Sequence, residues 1–137
     1  MADTYPDVQS LCRHQSQNDF EITAIDRQSP SLILAPHGGG IERGTCELAR
    51  AIAGDDHNLY LFQGKMRSGN NALHITSTRF YETAMDRLLA KADHVLAVHG
   101  SKGARIWHRS MAGKYMTPIT YIQAAEIPHC AKTSKRT

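Results

Sequence analysis

Two histidines in this chain occupy matching positions. His37 and His99 each sit just past a short apolar run, Leu32-Ile33-Leu34-Ala35 and Val95-Leu96-Ala97-Val98, and each is followed at once by glycine. Runs of this kind read as strands buried on both faces. In open α/β sheets, ligands bind beyond the carboxyl ends of the strands, and glycine beside each imidazole removes the Cβ that would hold a substrate away. Glu42 lies five residues after His37, in the first turn of the helix expected after Gly38-Gly39-Gly40, so the turn can fold it back toward the imidazole. Two neutral imidazoles and a carboxylate are an open zinc site of the catalytic kind, with a fourth position left for water. Zinc would lower the pKa of that water toward ~7 and polarise a carbonyl. The same residues have a plainer reading. A histidine at a strand end is commonly a hydrogen-bonded structural residue, and Glu42 suits a helix N-terminus on charge alone. Spacing by itself leaves both readings open.

The elements that must position these residues follow from periodicity. Phe20, Ile22 and Ile25 suggest an early strand near 20–27, and the first 20 residues give no strong periodic signal. After the Leu32–Ala35 strand, Ile41, Leu48, Ala49, Ile52 and Ala53 fall on one helical face, with Gly54 as the stop. Leu59 to Phe62 reads as a second buried strand, closed by Gln63-Gly64, and Lys65 to Asn71 as a polar loop. Leu73 to Thr78 is expected as a third short strand. Thr78 would then cap a helix with Phe80, Ala84, Leu88 and Leu89 on its apolar face. His94 to Val98 follows as the next strand. Strands alternating with helices point to an α/β fold with an open, mostly parallel or mixed sheet flanked by helices.

Composition narrows the class. The 137 residues are 41% hydrophobic and 21% charged, which is ordinary for a single small globular domain. No apolar run approaches the length that crosses a bilayer, and the acidic opening, with Asp3 and Asp7, is no secretory leader. A soluble, cytoplasmic chain is expected, with no membrane partner. Cys12, Cys46 and Cys130 are odd in number and lack CxxC spacing, so buried reduced thiols are expected. A Gly-rich loop without a following Lys-Ser/Thr, and without GxGxxG, makes a poor nucleotide cradle. The formal charge of +3 hides an asymmetry. Residues 1–100 carry nine Lys/Arg against twelve Asp/Glu, whereas residues 101–137 carry seven against Glu126 alone. That basic end could attract a polyanion, but it has no aromatic–basic interleaving, so nucleic acid is not the expected partner.

Four segments, taken in order, resemble one family. They are Ala35-Pro36-His37-Gly38-Gly39-Gly40-Ile41-Glu42, Leu59-Tyr60-Leu61-Phe62-Gln63-Gly64, Leu73-His74-Ile75-Thr76-Ser77-Thr78-Arg79-Phe80 and Val98-His99-Gly100. Together they are similar to the poly-γ-glutamate hydrolases associated with phage and Bacillus, often labelled phage-related replication proteins. The resemblance covers roughly residues 4–103. It implies a carboxypeptidase-like α/β fold and a zinc hydrolase that cuts γ-glutamyl amide bonds. It also implies metal binding by His37, Glu42 and His99. Because the substrate is a polyanion, Arg79 inside the third segment is the foremost candidate for its carboxylates. Asn70 and His74 complete the expected substrate-binding set, and Arg67 and Lys102 are lesser candidates. A phage-encoded member would be released by host lysis.

The resemblance also sets limits. A carboxypeptidase-like mechanism calls for a glutamate general base from a late strand, and no residue here matches one, so the catalytic residue is unknown and Glu126 is not promoted. Periodicity collapses beyond Gly103, where the charge balance also switches. The expectation is therefore a hydrolase-like domain over 1–103 and a basic, atypical segment over 104–137, with a frameshifted end as one origin for it. The sheet would then be incomplete on its C-terminal side, and an open edge admits a second copy of the chain as a homo-oligomeric partner. The rivals to the hydrolase are a remnant that binds metal or polyanion without turnover and, resting on the basic end alone, a nucleic-acid-binding replication accessory.

Overall fold

The computed structural model describes residues 2–101 and the backbone of residues 119–125. Among the described residues are five strands and three α-helices. They are α1 (Val8–His14), β1 (Phe20–Ile25), β2 (Ser31–Gly39), α2 (Thr45–Ala53), β3 (Asn58–Gly64), α3 (Thr83–Lys91), β4 (His94–Ser101) and β5 (Ile119–Ala125). They form one mixed sheet in the order β1-β3-β2-β4-β5, with β1 antiparallel to β3 and every other pair parallel. The expected fold class is the one observed.

Alternation along β2 divides the core. Leu32 and Leu34 face a cluster with Tyr60, Phe62, Val95 and Ala97, covered by Val8 and Leu11 of α1 and by Met85, Leu88 and Leu89 of α3. Ile33 and Ala35 face the opposite cluster, with Leu59, Leu61 and Val98, covered by Cys46, Ala49 and Ala53 of α2. Helices thus lie on both faces, which is why the central strands are apolar without alternation. The chain runs from β2 through α2 to β3 on one side, then from β3 through α3 to β4 on the other. The order reverses at β2, and the crevice between β2 and β4 is the switch point where open α/β sheets bind ligands. Their ladder ends at the pair Leu34 and Ala97, and the register of β2 on β3 shifts between Ala35 and Gly38. Beyond these points the strand ends splay, with His37 on one and His99 on the other.

Several expectations are corrected. The opening residues contain α1, whose N-cap Asp7 accepts from the Ser10 amide at 2.7 Å; seven residues are too few to declare an apolar period. The second helix starts at Thr45, so Ile41 and Glu42 lie in the loop before it. Residues 73–78 are not a strand: 3-10 turns at Asn70–Leu73 and Ser77–Arg79 flank an extended link. Leu73 and Ile75 are buried as an alternating strand requires, but their segment joins no ladder. The next helix is capped by Glu82, not Thr78. Its carboxylate accepts from the Ala84 and Met85 amides, a favourable charge at a helix N-terminus. Phe80 packs from the preceding loop, edge-on to Tyr60 and Phe62. Cys46 is buried as expected, but Cys12 is exposed. Cys130, Lys102 and Glu126 lie outside the described residues. No helix among the described residues is long and apolar enough to cross a membrane.

Candidate metal centre

The loop from His37 to Glu42 is shaped by its own backbone. The Glu42 amide donates to the His37 carbonyl at 2.9 Å and the Gly40 amide to the Gly64 carbonyl at 2.9 Å. Gly39 adopts φ +62°, a conformation side chains disfavour, and a Cβ there would strike Gly64. A Cβ on Gly38 would overlap Cys46 Sγ, so this glycine lets α2 close on the sheet. The result returns Glu42 to the imidazole five residues back. His37 Nδ1 and Glu42 Oε1 are 2.8 Å apart, and His99 Nδ1 lies 3.6 Å from the same oxygen. The Gly100 amide donates to Glu42 Oε2 at 2.9 Å, and a Cβ on Gly100 would sit 2.9 Å from that of Glu42.

His37 is 3% exposed. Its Nε2 donates to the Ile75 carbonyl at 2.6 Å, the backbone oxygen that segment 73–78 withholds from any ladder. A neutral imidazole has one N–H, and here an acceptor faces each ring nitrogen. With Nε2 donating to Ile75, the Nδ1 atom is the one turned toward Glu42 and His99. An imidazole whose far nitrogen is tied to a backbone carbonyl is the usual setting of a metal-bound histidine. One ligand atom each from His37, Glu42 and His99 lies within 4.8 Å of the others, and neighbouring ligands on tetrahedral zinc stand roughly 3.3 Å apart. The residues fit the metal. Burial opposes ionisation of Glu42, but hydrogen bonds and charge from His37 and His99 outweigh it and bring its pKa down to about 2. Glu42 is thus a carboxylate throughout the neutral range, ready to bind a cation.

The substrate candidates fall in different places. The His74 ring lies tilted by 31° against that of His37, with centroids 4.1 Å apart, and Arg79 follows on the same segment. Both are tied to Asp3: His74 Nδ1 pairs with Oδ1 at 2.8 Å, and Arg79 Nη2 with Oδ2 at 3.0 Å. Asn70 is spent locally. Its Oδ1 accepts from the Met66 amide and its Nδ2 donates to the Met66 carbonyl, with Gly40 and Gly64 packed against it. Arg67 is exposed on the same polar loop. Sequence reasoning missed Asp3, Gly100 as an amide donor, and the Ile75 carbonyl. The family resemblance pointed to the last two segments, but no local pattern marks Asp3.

A model of the poly-gamma-glutamate hydrolase family matches residues 5–117. This chain belongs to that family. Among its relatives, UPF0714 protein YndL of Bacillus subtilis is 38% identical over 98 residues, covering 72% of this chain and 38% of YndL. The SPbeta prophage-derived UPF0714 protein YoqZ of the same organism is 43% identical over 99 residues, covering 72% and 36%. Two solved structures superpose on the chain. The zinc-free apo form of YndL gives a TM-score of 0.72 at 35% identity, over 77% of this chain and 52% of that one. A bacteriophage poly-gamma-glutamate hydrolase gives 0.70 at 38% identity, over 75% and 51%. The chain spans about two-fifths of the curated relatives and about half of the solved ones.

Proposed function

We propose that this family member is a zinc-dependent hydrolase of the γ-glutamyl amide bonds of poly-γ-glutamate, its metal held by His37, Glu42 and His99. The observation that carries the reading is the convergence of these three side chains in the crevice between β2 and β4, with His37 Nε2 tied back to Ile75. Zinc bound there supplies Lewis acidity toward the amide carbonyl and makes a water nucleophilic near neutral pH. The protein's own part is to hold the ligands. Ile75 fixes the tautomer of His37, and Gly100 anchors the second oxygen of Glu42. Arg79 would take a substrate carboxylate through its planar fork, with His74 beside it at the rim and Asn70 shaping the adjoining loop. That every residue of the polymer carries a free carboxylate makes such a site selective for it over neutral peptide.

A second reading keeps the metal and the polymer but omits turnover. It is favoured by the use already made of the acids nearest the centre among the described residues. Glu42 binds both histidines and Gly100, and Asp3 binds His74, Thr76 and Arg79, so neither is available as a general base. Loss of a general base typically costs ~10²–10⁴ in rate. The purified chain incubated with poly-γ-glutamate, with zinc and then with a chelator, decides between them. Chain shortening that the chelator abolishes is the result expected of the hydrolase. Metal binding by a folded sample without any shortening overturns it in favour of the binding remnant.

A further inference from the structure

Asp3 is the least expected member of this region. Its side chain is 3% exposed, and its carboxylate meets three donors from one short segment: the Thr76 amide at 2.7 Å, Arg79 Nη2 at 3.0 Å and His74 Nδ1 at 2.8 Å. Burying a carboxylate is costly unless donors surround it, and here all of them belong to residues 74–79. Those residues join no ladder, and the contact that the sheet offers their polar side chains is the ring of His37 against that of His74. The metal ligands do not need Asp3, since His37 is oriented by Ile75 and Glu42. What Asp3 does fix is the pair at the rim. His74 is 38% exposed and Arg79 53% exposed, so both remain open to a ligand while anchored at one atom.

We infer that Asp3 is a positioning residue that holds Arg79 and His74 as a preorganised recognition pair beside the metal centre, oriented for a carboxylate of the γ-glutamyl substrate. The inference rests on the substrate class proposed above. Its physical content is a conflict of signs. A buried negative charge beside an anion site weakens simple Coulomb attraction, so a purely electrostatic account has Asp3 opposing the polymer. A positioning account has it assisting, because an arginine held in place loses less rotamer freedom on binding.

Replacing Asp3 separates the two. The zinc-loaded full chain would be titrated calorimetrically with a short γ-linked glutamyl oligomer, as wild type, Asp3→Asn, Arg79→Gln and the double variant. Positioning predicts that D3N binds the oligomer roughly tenfold more weakly, the scale of one hydrogen bond to a charged group, with zinc content unchanged. The double variant should lose less than the sum of the two single losses, because part of the effect of Asp3 runs through Arg79 and the remainder through His74. Equal or tighter binding by D3N overturns the inference, as does full additivity. A wild type that binds no oligomer sinks the substrate class instead, and nitrogen NMR of the His74 ring then decides the positioning role. An Nδ1-bound proton fixed in wild type and lost in D3N upholds it, and a ring indifferent to the substitution overturns it. Should D3N fail to fold, a wild-type His74 whose Nδ1 carries no proton is the refuting result.

Discussion

The two walls of the candidate metal centre are built in opposite ways. One comprises the end of β2, the loop to Glu42 and the end of β4. Parallel ladders hold it, glycines shape it, and α2 packs behind it, so its ligand positions and its fold are the same object. The other wall, residues 73–80, has no ladder. It is held by its buried Leu73, Ile75 and Phe80 and by side-chain clamps: Ile75 to His37, and Asp3 to three residues. The contrast teaches that a segment can look like a strand in sequence and still reserve its backbone groups for a site. It also divides the consequences of mutation. Damage to the first wall should cost stability and metal together, and damage to the second should cost recognition first.

Removing the three candidate ligands should have the largest effect. A chain with His37→Ala, Glu42→Ala and His99→Ala is expected to retain no zinc by elemental analysis after dialysis, and unchanged zinc content would refute the site. Truncating Phe62, buried under α3 and stacked on Phe20, should cost about 3–5 kcal/mol, read by denaturant unfolding. It tests whether the first wall shares its stability with the core. Gly100→Ala acts more narrowly. Its Cβ would press on Glu42, so zinc affinity should fall roughly 10–100-fold, the range for groups that orient ligands, and the melting temperature should fall with it. An unchanged melting temperature would mean that fold and site are separable there.

The second wall should answer to acid. Burial opposes ionisation of Asp3, but the Thr76 amide and His74 prevail and lower its pKa to about 2. A depressed carboxyl contributes stability that is complete above its unfolded pKa near 4 and disappears as pH falls through the folded value. Exchange of the Thr76 amide proton should therefore accelerate, relative to amides in β2, between about pH 4 and pH 2. Parallel acceleration of both amides would mean that the walls open as one. The smallest effect is expected for Asn70→Ala. Loss of its two bonds to Met66 should cost about 1–2 kcal/mol and loosen the loop beside Gly40.

Legibility in the sequence followed the same division. The strands of the first wall were readable because both faces are buried and the apolar runs are continuous, and the grouping of His37, Glu42 and His99 was readable because strand ends and glycines mark them. Even the five-residue spacing from His37 to Glu42 carried information, since the two lie in one loop. The helix start was placed early because Ile41 continues the apolar period of α2 from outside it. The second wall was misread for a definite reason. Leu73 and Ile75 alternate as in a strand, and no local pattern reports where a backbone carbonyl finds its donor. Asp3 was illegible altogether: its partners lie 71 to 76 residues away.

The place of β2 at the centre of the sheet has a consequence for the order of assembly. Its neighbour β3 arrives after one helix, but β4 arrives only after a second, so the crevice cannot exist until nearly all of the first hundred residues have been laid down. The bond from Gly100 to Glu42 closes a separation of 58 residues, and that from His74 to Asp3 one of 71. Contacts so distant along the chain are slow to form and are made late. The candidate centre is thus formed late, and a chain that ends before β4 lacks His99 and so the third member of the cluster.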